Sequence, residues 1–284
     1  MNNLWHLTGK IQPRSLTESR LRLHYAIQFI AATGSALAEP LQDYSHTSLT
    51  WKSDLKVFVG AVIHAIRSFQ VALDPVSLIS IILDKHGETI ATSPLEGKTL
   101  VEGMNWHKKQ ISQLGADAEK IAFLSYPPDD FPDHAIAHGA TFNTSEVAGR
   151  QELANYYANT HQLLQEIVAE TEDASPIHTW SHHFDMATLI SIPGKKNGEP
   201  ITVGVGMSPG DRSYDEPYWY VSPYPYPDTT SLPKLAGGGF WQTQHWVGAV
   251  LTASQLTTDS DGAQEEQVRA FLYSAVKASK ALLV

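Results

Sequence analysis

The chain repeats one order of predicted elements, and this repeat restricts the fold more than any other feature. Residues 15–115 and 145–284 each read as a helix, several strand-like segments and a closing helix. Strands grouped between helices are typical of α+β folds rather than doubly wound folds. We therefore predict an α+β protein with two similar α-β-β-β-β-α halves. These halves would form one pseudo-symmetric body, with antiparallel sheet and flanking helices.

A Pro-rich segment separates the two predicted halves. Tyr126–Asp133 contains three prolines, which fix φ and remove backbone donors, so regular structure is not expected there. We place the first α+β half at 1–124, the Pro-rich linker or loop at 125–144, and the second half at 145–284. Because the aromatic and acidic motifs concentrate in the second half, we expect it to carry the functional site.

Several short signals predict the ends of elements. Ser15 with Glu18, and Thr99 with Glu102, both match the capping box that opens a helix. Asp84–Gly87 has the composition of a hairpin turn, in which Gly87 is free to adopt a positive φ. These signals fix element boundaries, but they do not indicate a function.

Composition excludes several classes of partner and site. The 284-residue chain has a formal net charge of −10 and no cysteine. A negative field repels phosphate backbones, so we expect no nucleic-acid partner. Cysteine-based metal sites and nucleophiles are excluded. The start of the sequence lacks the features of a signal peptide, and no apolar stretch is long enough to span a bilayer. We expect a cytoplasmic protein with no membrane partner, and a homodimer remains open.

The segment Trp180-Ser181-His182-His183-Phe184-Asp185 is the strongest candidate for a site. We predict a strand over His178–Ile192, in which side chains alternate between faces. One face then carries Trp180, His182 and Phe184. The other carries Ser181, His183 and Asp185, which places an imidazole beside a carboxylate.

Three interpretations of His183 and Asp185 remain open. Asp185 could orient His183 as a general base and stabilise its cation. The two side chains could instead be ligands of a divalent metal completed by other elements. The third interpretation is a hydrogen-bonded pair that is structural and has no chemistry.

A second group of charged residues follows a glycine-bearing strand. Ile201–Met207 is a predicted strand in which Gly204 and Gly206 share a face, which indicates close approach of another backbone or a ligand. Asp211 follows, and it either caps the turn through an Asx hydrogen bond or, with Glu216, serves as a second acid near His183. Arg212 could pair with either acid or hold an anionic substrate.

Aromatic residues are dense between positions 214 and 246. Such density is typical of cores and interfaces, and it also builds stacking surfaces for sugars or planar ligands. Prolines punctuate Tyr218–Tyr226, which we interpret as an edge strand or a polyproline-like segment. The candidate ligand-binding residues are His182, Arg212, Tyr218, Tyr220 and Trp241.

Short motifs of this chain resemble a bacterial family of uncharacterised proteins, known as a domain of unknown function. The resemblance lies in Trp180–Ala187, in Ser208–Asp211 with Glu216-Pro217 and Tyr220, and in Leu23-His24 with Gln28. It implies no activity. The family motif is poorer in histidine at positions 182 and 183, which weakens a catalytic role for both.

These observations predict a small-molecule-binding protein. If the protein is an enzyme, we expect a metal- or His/Asp-dependent hydrolase with His183, Asp185, Asp211 and Glu216 as catalytic residues. A divalent metal held by His183 and Asp185 is the one cofactor that the sequence suggests. The alternative is a non-catalytic module that binds a carbohydrate or a protein through its Tyr/Trp-rich surface.

Overall fold

The computed structural model describes residues 5–127 and 130–284, so Pro128 and Asp129 of the Pro-rich segment lie outside the described residues. The chain forms two compact units. The meander unit consists of Glu18–Ala154 and His178–Phe184. The C-terminal unit consists of the described part of Met1–Thr17 together with Asn155–Ile177 and Asp185–Val284.

The meander unit contains two complete helices, all but the first residue of a third, and an antiparallel sheet. The helices are α1 and α2 at its start and α3 at the end of the sheet, and all strands follow one another in space as they do in sequence. The bounds of the helices are Thr17–Ala26, Gln28–Leu37 and Leu100–Gln113. The bounds of the strands β1 to β5 are Thr50–Lys52, Val57–Val59, Phe69–Asp74, Ile79–Asp84 and Thr89–Pro94.

Local signals account for the best-predicted parts of this unit. The Asp84 carboxylate accepts hydrogen bonds from the amides of His86 and Glu88, and Gly87 has a φ of 85°, as the turn prediction required. At the start of α3, Thr99 and Glu102 form both hydrogen bonds of the capping box. The predicted box at Ser15 is wrong, because its hydroxyl donates to the carbonyl of Gln12.

The C-terminal unit contains a second antiparallel sheet and the closing helix. Its strands lie in the order β10-β11-β9-β8-β7, so β11 lies between β9 and β10. The strands β7 to β11 are Met186–Lys196, Glu199–Ser208, Tyr218–Tyr224, Phe240–Gln242 and Gly248–Thr252, and helix α5 is Asp261–Leu283. Helix α4, Val147–Glu170, is divided between the two units after Ala154.

Helix packing defines the two faces of this second sheet. Helix α5 packs on β8, β9 and β11, and its buried residues include Phe271 and Leu272. The indole of Trp219 is fully buried, and its Nε1 donates to the Thr160 hydroxyl of α4 at 2.9 Å. Because side chains alternate along β9, Tyr218 and Tyr220 point away from this helical face.

The hairpin between β7 and β8 is set by an Asn-Gly turn. Asn197 and Gly198 both have positive φ, which matches the tight turns that join twisted strands. The register of the hairpin shifts between Ile192 and Lys195, where Pro193 and Gly194 interrupt the pairing. The first strand of this hairpin therefore extends to Lys196, and the turn itself is confined to Asn197 and Gly198.

Two predicted strands are corrected by the structure. The predicted strand His178–Ile192 is broken: β6 covers His178–Thr179, and a turn follows at 181–183 before β7 begins. The predicted alternation of faces across His182, His183 and Asp185 therefore does not apply. The prediction of an edge strand at Tyr218–Tyr226 is also wrong, because β9 pairs with both β8 and β11.

Pro223 fits within β9 because β11 covers only part of that strand. The pairing of β11 with β9 extends from Tyr218 to Val221, so Pro223 lies beyond it and pairs with β8 alone. A proline removes one backbone donor, which is tolerated on a side of a strand that has no partner.

The α+β class with antiparallel sheets is confirmed. The compact units differ from the predicted linear division, because 125–144 belongs to the meander unit and 178–184 returns to it. A duplication remains a prediction, since the strand orders of the two sheets differ. None of the helices in the described ranges combines the length and apolar composition that a bilayer crossing requires.

Candidate functional site

One end of the C-terminal sheet brings together two acids and two tyrosines. Asp185 immediately precedes β7, Asp211 follows β8, and Tyr218 and Tyr220 belong to the start of β9. Register places Ser208 opposite Tyr218 and Gly206 opposite Tyr220. We call Asp185, Asp211, Tyr214, Tyr218 and Tyr220 the Asp–Tyr cluster.

The Tyr220 hydroxyl crosses a strand to reach its acid. It donates a hydrogen bond of 2.5 Å to Oδ2 of Asp185, which is partly exposed. A Cβ at Gly206 would lie 2.8 Å from this hydroxyl and 2.5 Å from the carbonyl oxygen of Met186. The close approach predicted at Gly206 is confirmed, and the missing side chain makes room for the Tyr220 hydroxyl. At Gly204, the nearest atom would lie 3.9 Å away, so close approach there is not found.

Asp211 combines the predicted turn cap with a second tyrosine contact. Its Oδ1 accepts from the amides of Ser213 and Tyr214, which is the Asx-type cap predicted for this turn. Its Oδ2 accepts from the Tyr218 hydroxyl at 2.5 Å. The rings of Tyr218 and Tyr220 have centroids 6.2 Å apart, and those of Tyr214 and Tyr218 are 4.9 Å apart.

The electrostatic environment keeps the tyrosines protonated. Burial raises the pKa of Tyr218 far above its usual value, and the negative charge of Asp211 raises it further. Burial likewise raises the pKa of Tyr220, with Asp185 as the next cause. Both hydroxyls therefore remain hydrogen-bond donors to the acids at neutral pH.

Glu216, which the sequence suggested as a second acid, is held by contacts within the C-terminal unit. Its side chain is buried, and the two carboxylate oxygens accept from the amide and the hydroxyl of Ser254 at 2.6 and 2.9 Å. Arg14 Nε lies 3.7 Å from Oε1. These contacts secure the short turn after β11.

The other predicted ligand-binding residues of this unit lie at its surface. Arg212 is exposed. Trp241 is partly exposed, and its Nε1 donates to the carbonyl of Pro233 at 2.8 Å.

The two adjacent histidines lie in the turn of the meander unit. The amide of Phe184 donates to the carbonyl of Trp180 at 2.7 Å, and Phe184 has a φ of 58°. His183 is exposed, and its ring centroid lies 4.2 Å from that of His182. Ser181 anchors this turn through buried polar contacts, a role that the sequence did not predict.

A buried polar network holds Ser181. Its carbonyl contacts Nε2 of His24 at 3.0 Å and accepts from the Gln28 side chain at 2.9 Å. The Tyr126 hydroxyl donates to the Gln28 side-chain oxygen at 2.7 Å and contacts the Ser181 hydroxyl at 3.2 Å. Burial lowers the pKa of His24 to about 3, so this imidazole is neutral at pH 7. His24 and Gln28 are among the positions that carry the family resemblance, and this resemblance was the signal in the sequence that pointed to this network.

The predicted metal site of His183 and Asp185 gains no third ligand among the described residues. Across residues 5–127 and 130–284, no group of three or more His, Asp or Glu side chains is placed to hold a metal ion. The hydrolase hypothesis remains a prediction from the sequence.

Comparison with known proteins supplies no relative. The chain matches no protein-family model, and neither the curated proteins nor the solved structures include a significant match. The resemblance to an uncharacterised bacterial family therefore remains a prediction.

Proposed function

We propose that this protein binds a small organic cation at the Asp–Tyr cluster. The observation that carries the proposal is that both tyrosine hydroxyl protons are donated to carboxylates. This proposal names a class of ligand for the small-molecule binding expected from the sequence, and it requires no chemical step.

Hydrogen-bond accounting favours a ligand that donates. A tyrosine hydroxyl has one proton, and in this cluster each proton is used by an acid. The oxygen atom of partly exposed Tyr220 can then only accept from a ligand. Tyr218 is buried, and its hydroxyl also has a hydrogen bond with the side chain of Ser208. The described donors to Asp211 are amides and a hydroxyl, all uncharged, so its negative charge is not neutralised by them.

The aromatic rings add a second preference for positive charge. Tyr214 and Tyr220 are partly exposed, and Asp211 is exposed at the same end of the sheet. A cation over a tyrosine face is attracted by the ring quadrupole, and nearby carboxylates strengthen the attraction. An organic cation that also carries a hydroxyl satisfies both preferences, because its hydroxyl donates to a tyrosine oxygen and its cationic head supplies the positive charge.

The test compares choline with 3,3-dimethylbutanol, a neutral molecule of nearly the same shape. We expect NMR titration to show saturable binding of choline, with shifts at the Asp–Tyr cluster, and no saturable binding of the neutral alcohol. Equal binding of the two probes, or no binding of choline at millimolar concentration, would refute the proposal.

The matched variants are Asp185→Asn and Asp259→Asn. Asp259 is an exposed acid of the same unit outside the cluster. We expect D185N to weaken choline binding about tenfold, which corresponds to ~1.4 kcal/mol, while D259N leaves it unchanged. The melting temperatures of the two variants should be similar. Strong destabilisation of D185N with unchanged choline affinity would show that Asp185 is structural.

A further inference from the structure

A fully buried arginine of the meander unit lacks a partner for one of its nitrogen atoms. The side chain of Arg150 is 0% exposed. Its Nε donates to the carbonyl of Val76 at 2.9 Å, and its Nη2 donates to the carbonyl of Thr144 at 2.7 Å. Its Nη1 is buried and has no hydrogen-bond partner. Because nearly all buried polar groups are paired, such an orphan donor indicates a water molecule or an ion in contact with it.

The positive charge of Arg150 also lacks a counter-ion. A guanidinium stays protonated in proteins, and a buried charge without a partner is costly. Both groups that accept hydrogen bonds from Arg150 are neutral carbonyls. Among residues 5–127 and 130–284, no carboxylate is close enough to form an ion pair with it. A water molecule at Nη1 would complete the hydrogen bonding, but only an anion would also balance the charge.

Three acids of this unit act on Arg150 from a distance, but each is bound elsewhere. Glu96 accepts from a backbone amide at 2.5 Å, Asp74 from two backbone amides at 2.9 and 3.2 Å, and Glu146 from a serine hydroxyl at 3.0 Å. Their charges raise the pKa of Arg150, but burial and the positive charge of Arg22 outweigh them, so the pKa is lowered. These acids therefore do not balance the charge of the guanidinium.

Arg22 of α1 offers a second donor of the same kind. Its side chain is 13% exposed, and its Nη2 is paired with Oε1 of Glu18 at 2.8 Å. Its Nη1 is buried without a hydrogen-bond partner and lies 3.7 Å from Oε2 of Glu146. Arg150 belongs to the first turn of α4, where the helix dipole is positive. Two orphan Nη1 groups and a helix N-terminus supply donors and positive charge, which favours an anion over a cation or a neutral ligand.

We propose that a chloride ion binds inside the meander unit, in contact with Nη1 of Arg150 and Nη1 of Arg22. Chloride is monovalent, so it balances the one charge that is unpaired, and it accepts hydrogen bonds from any direction. A larger oxyanion would need an opening to solvent, whereas both Nη1 atoms are buried. Arg150 joins the β3–β4 turn at Val76 to the segment before α4 at Thr144, so the bound ion stabilises the fold of this unit. This site shares no residue with the Asp–Tyr cluster.

The experiment uses the whole chain and compares chloride with gluconate, an organic anion too large for an internal site. The protein is prepared in sodium gluconate, and chloride then replaces gluconate at constant ionic strength while the melting temperature is measured. An ion that binds only the folded state raises this temperature in a saturable manner, and we expect a rise of about 2 °C or more. A crystal of the wild type grown in sodium bromide should show an anomalous peak in contact with Nη1 of Arg150.

The matched variants are Arg150→Met and Arg269→Met. Arg269 is partly exposed, and its guanidinium is already paired with Glu166 and Glu265, so it needs no anion. We expect R150M to abolish the chloride-dependent rise in melting temperature and R269M to retain it. Arg22→Met should reduce the rise, and it provides the same test if R150M does not fold.

Three results would overturn the proposal. The first is a melting temperature of the wild type that is equal in chloride and in gluconate. The second is a chloride response that R150M and Arg22→Met both retain in full. The third is a bromide crystal in which a water molecule, without an anomalous peak, contacts Nη1 of Arg150.

Discussion

Gly206→Ala tests the contact on which the Asp–Tyr cluster is built. The added Cβ would lie 2.5 Å from the Met186 carbonyl oxygen and 2.8 Å from both the Ala187 Cβ and the Tyr220 hydroxyl. Ordinary contacts begin near 3.4 Å, and the Met186 oxygen belongs to the backbone of a paired strand. Either β7 moves away from β8, or Tyr220 leaves Asp185.

The expected cost follows from these two routes. Overpacking a well-packed site costs about 1–3 kcal/mol. Loss of a hydrogen bond to a charged acceptor costs about 1.5–3 kcal/mol. Replacement of a strand glycine by alanine returns about 0.5–1 kcal/mol through the unfolded chain. We therefore expect G206A to lower the free energy of unfolding by about 0.5–2.5 kcal/mol.

Gly204→Ala is the matched control, because Gly204 lies two residues earlier on the same face of β8 and has its nearest atom at 3.9 Å. We expect G204A to be neutral or slightly stabilising. Urea unfolding followed by circular dichroism measures both variants, and a double-mutant cycle with Tyr220→Phe isolates the hydroxyl. The reasoning is refuted if G206A is as stable as G204A. It is also refuted if G206A and Y220F are strictly additive, since the hydroxyl is then not part of the obstruction.

Three further predictions concern single residues. Burial lowers the pKa of His107 to about 4, below the usual 6.5. The neutral imidazole therefore contributes fully to the free energy of unfolding above pH 6.5. This contribution is lost as pH falls toward 4, by ~1.4 kcal/mol per pH unit. Its imidazole C2–H NMR shift should be constant from pH 8 to 5, and a midpoint near 6.5 would contradict this. Gln264 Oε1 accepts hydrogen bonds from Trp5 Nε1 and from the Thr8 amide and hydroxyl. Gln264→Leu should therefore lower the free energy of unfolding by about 2–4 kcal/mol and speed hydrogen exchange of the Thr8 amide. Unchanged exchange at Thr8 would exclude this role. Thr99→Ala should lower the free energy of unfolding by about 1 kcal/mol through loss of the capping box, as urea unfolding would measure, and a cost near zero would show that the cap is redundant.

Features that depend on neighbouring residues were predictable from the sequence. The hairpin turn at Asp84–Gly87 and the capping box at Thr99 need only atoms within four residues, and both occur as predicted. The Asx cap at Asp211 is of the same kind. The same pattern at Ser15 did not form a capping box, because the Ser15 hydroxyl donates to the carbonyl of Gln12. Other backbone groups nearby therefore compete for the hydroxyl of a predicted cap.

Features that depend on strand pairing were predicted only in part. Gly206 signalled a close approach, but the sequence did not show that Tyr220 is the group that approaches. Aromatic residues and prolines suggested an edge strand at Tyr218–Tyr226, although its first half pairs on both sides. The partners of a strand are set by long-range packing, which outweighs the propensity of the strand itself.

By itself, the sequence determined the α+β class, the main turns and the set of residues from which a site could be built, because periodicity and turn chemistry act over short distances. Only the tertiary structure decided which of these residues meet. The register of β7, β8 and β9 paired Asp185 with Tyr220, and the start of β9 paired Tyr218 with Asp211. A buried network fixed the turn at Ser181 and left His183 exposed. The pairings of Tyr220 with Asp185 and of Ser181 with His24 join residues far apart in the chain, so they arise only when the whole fold satisfies its buried polar groups at once.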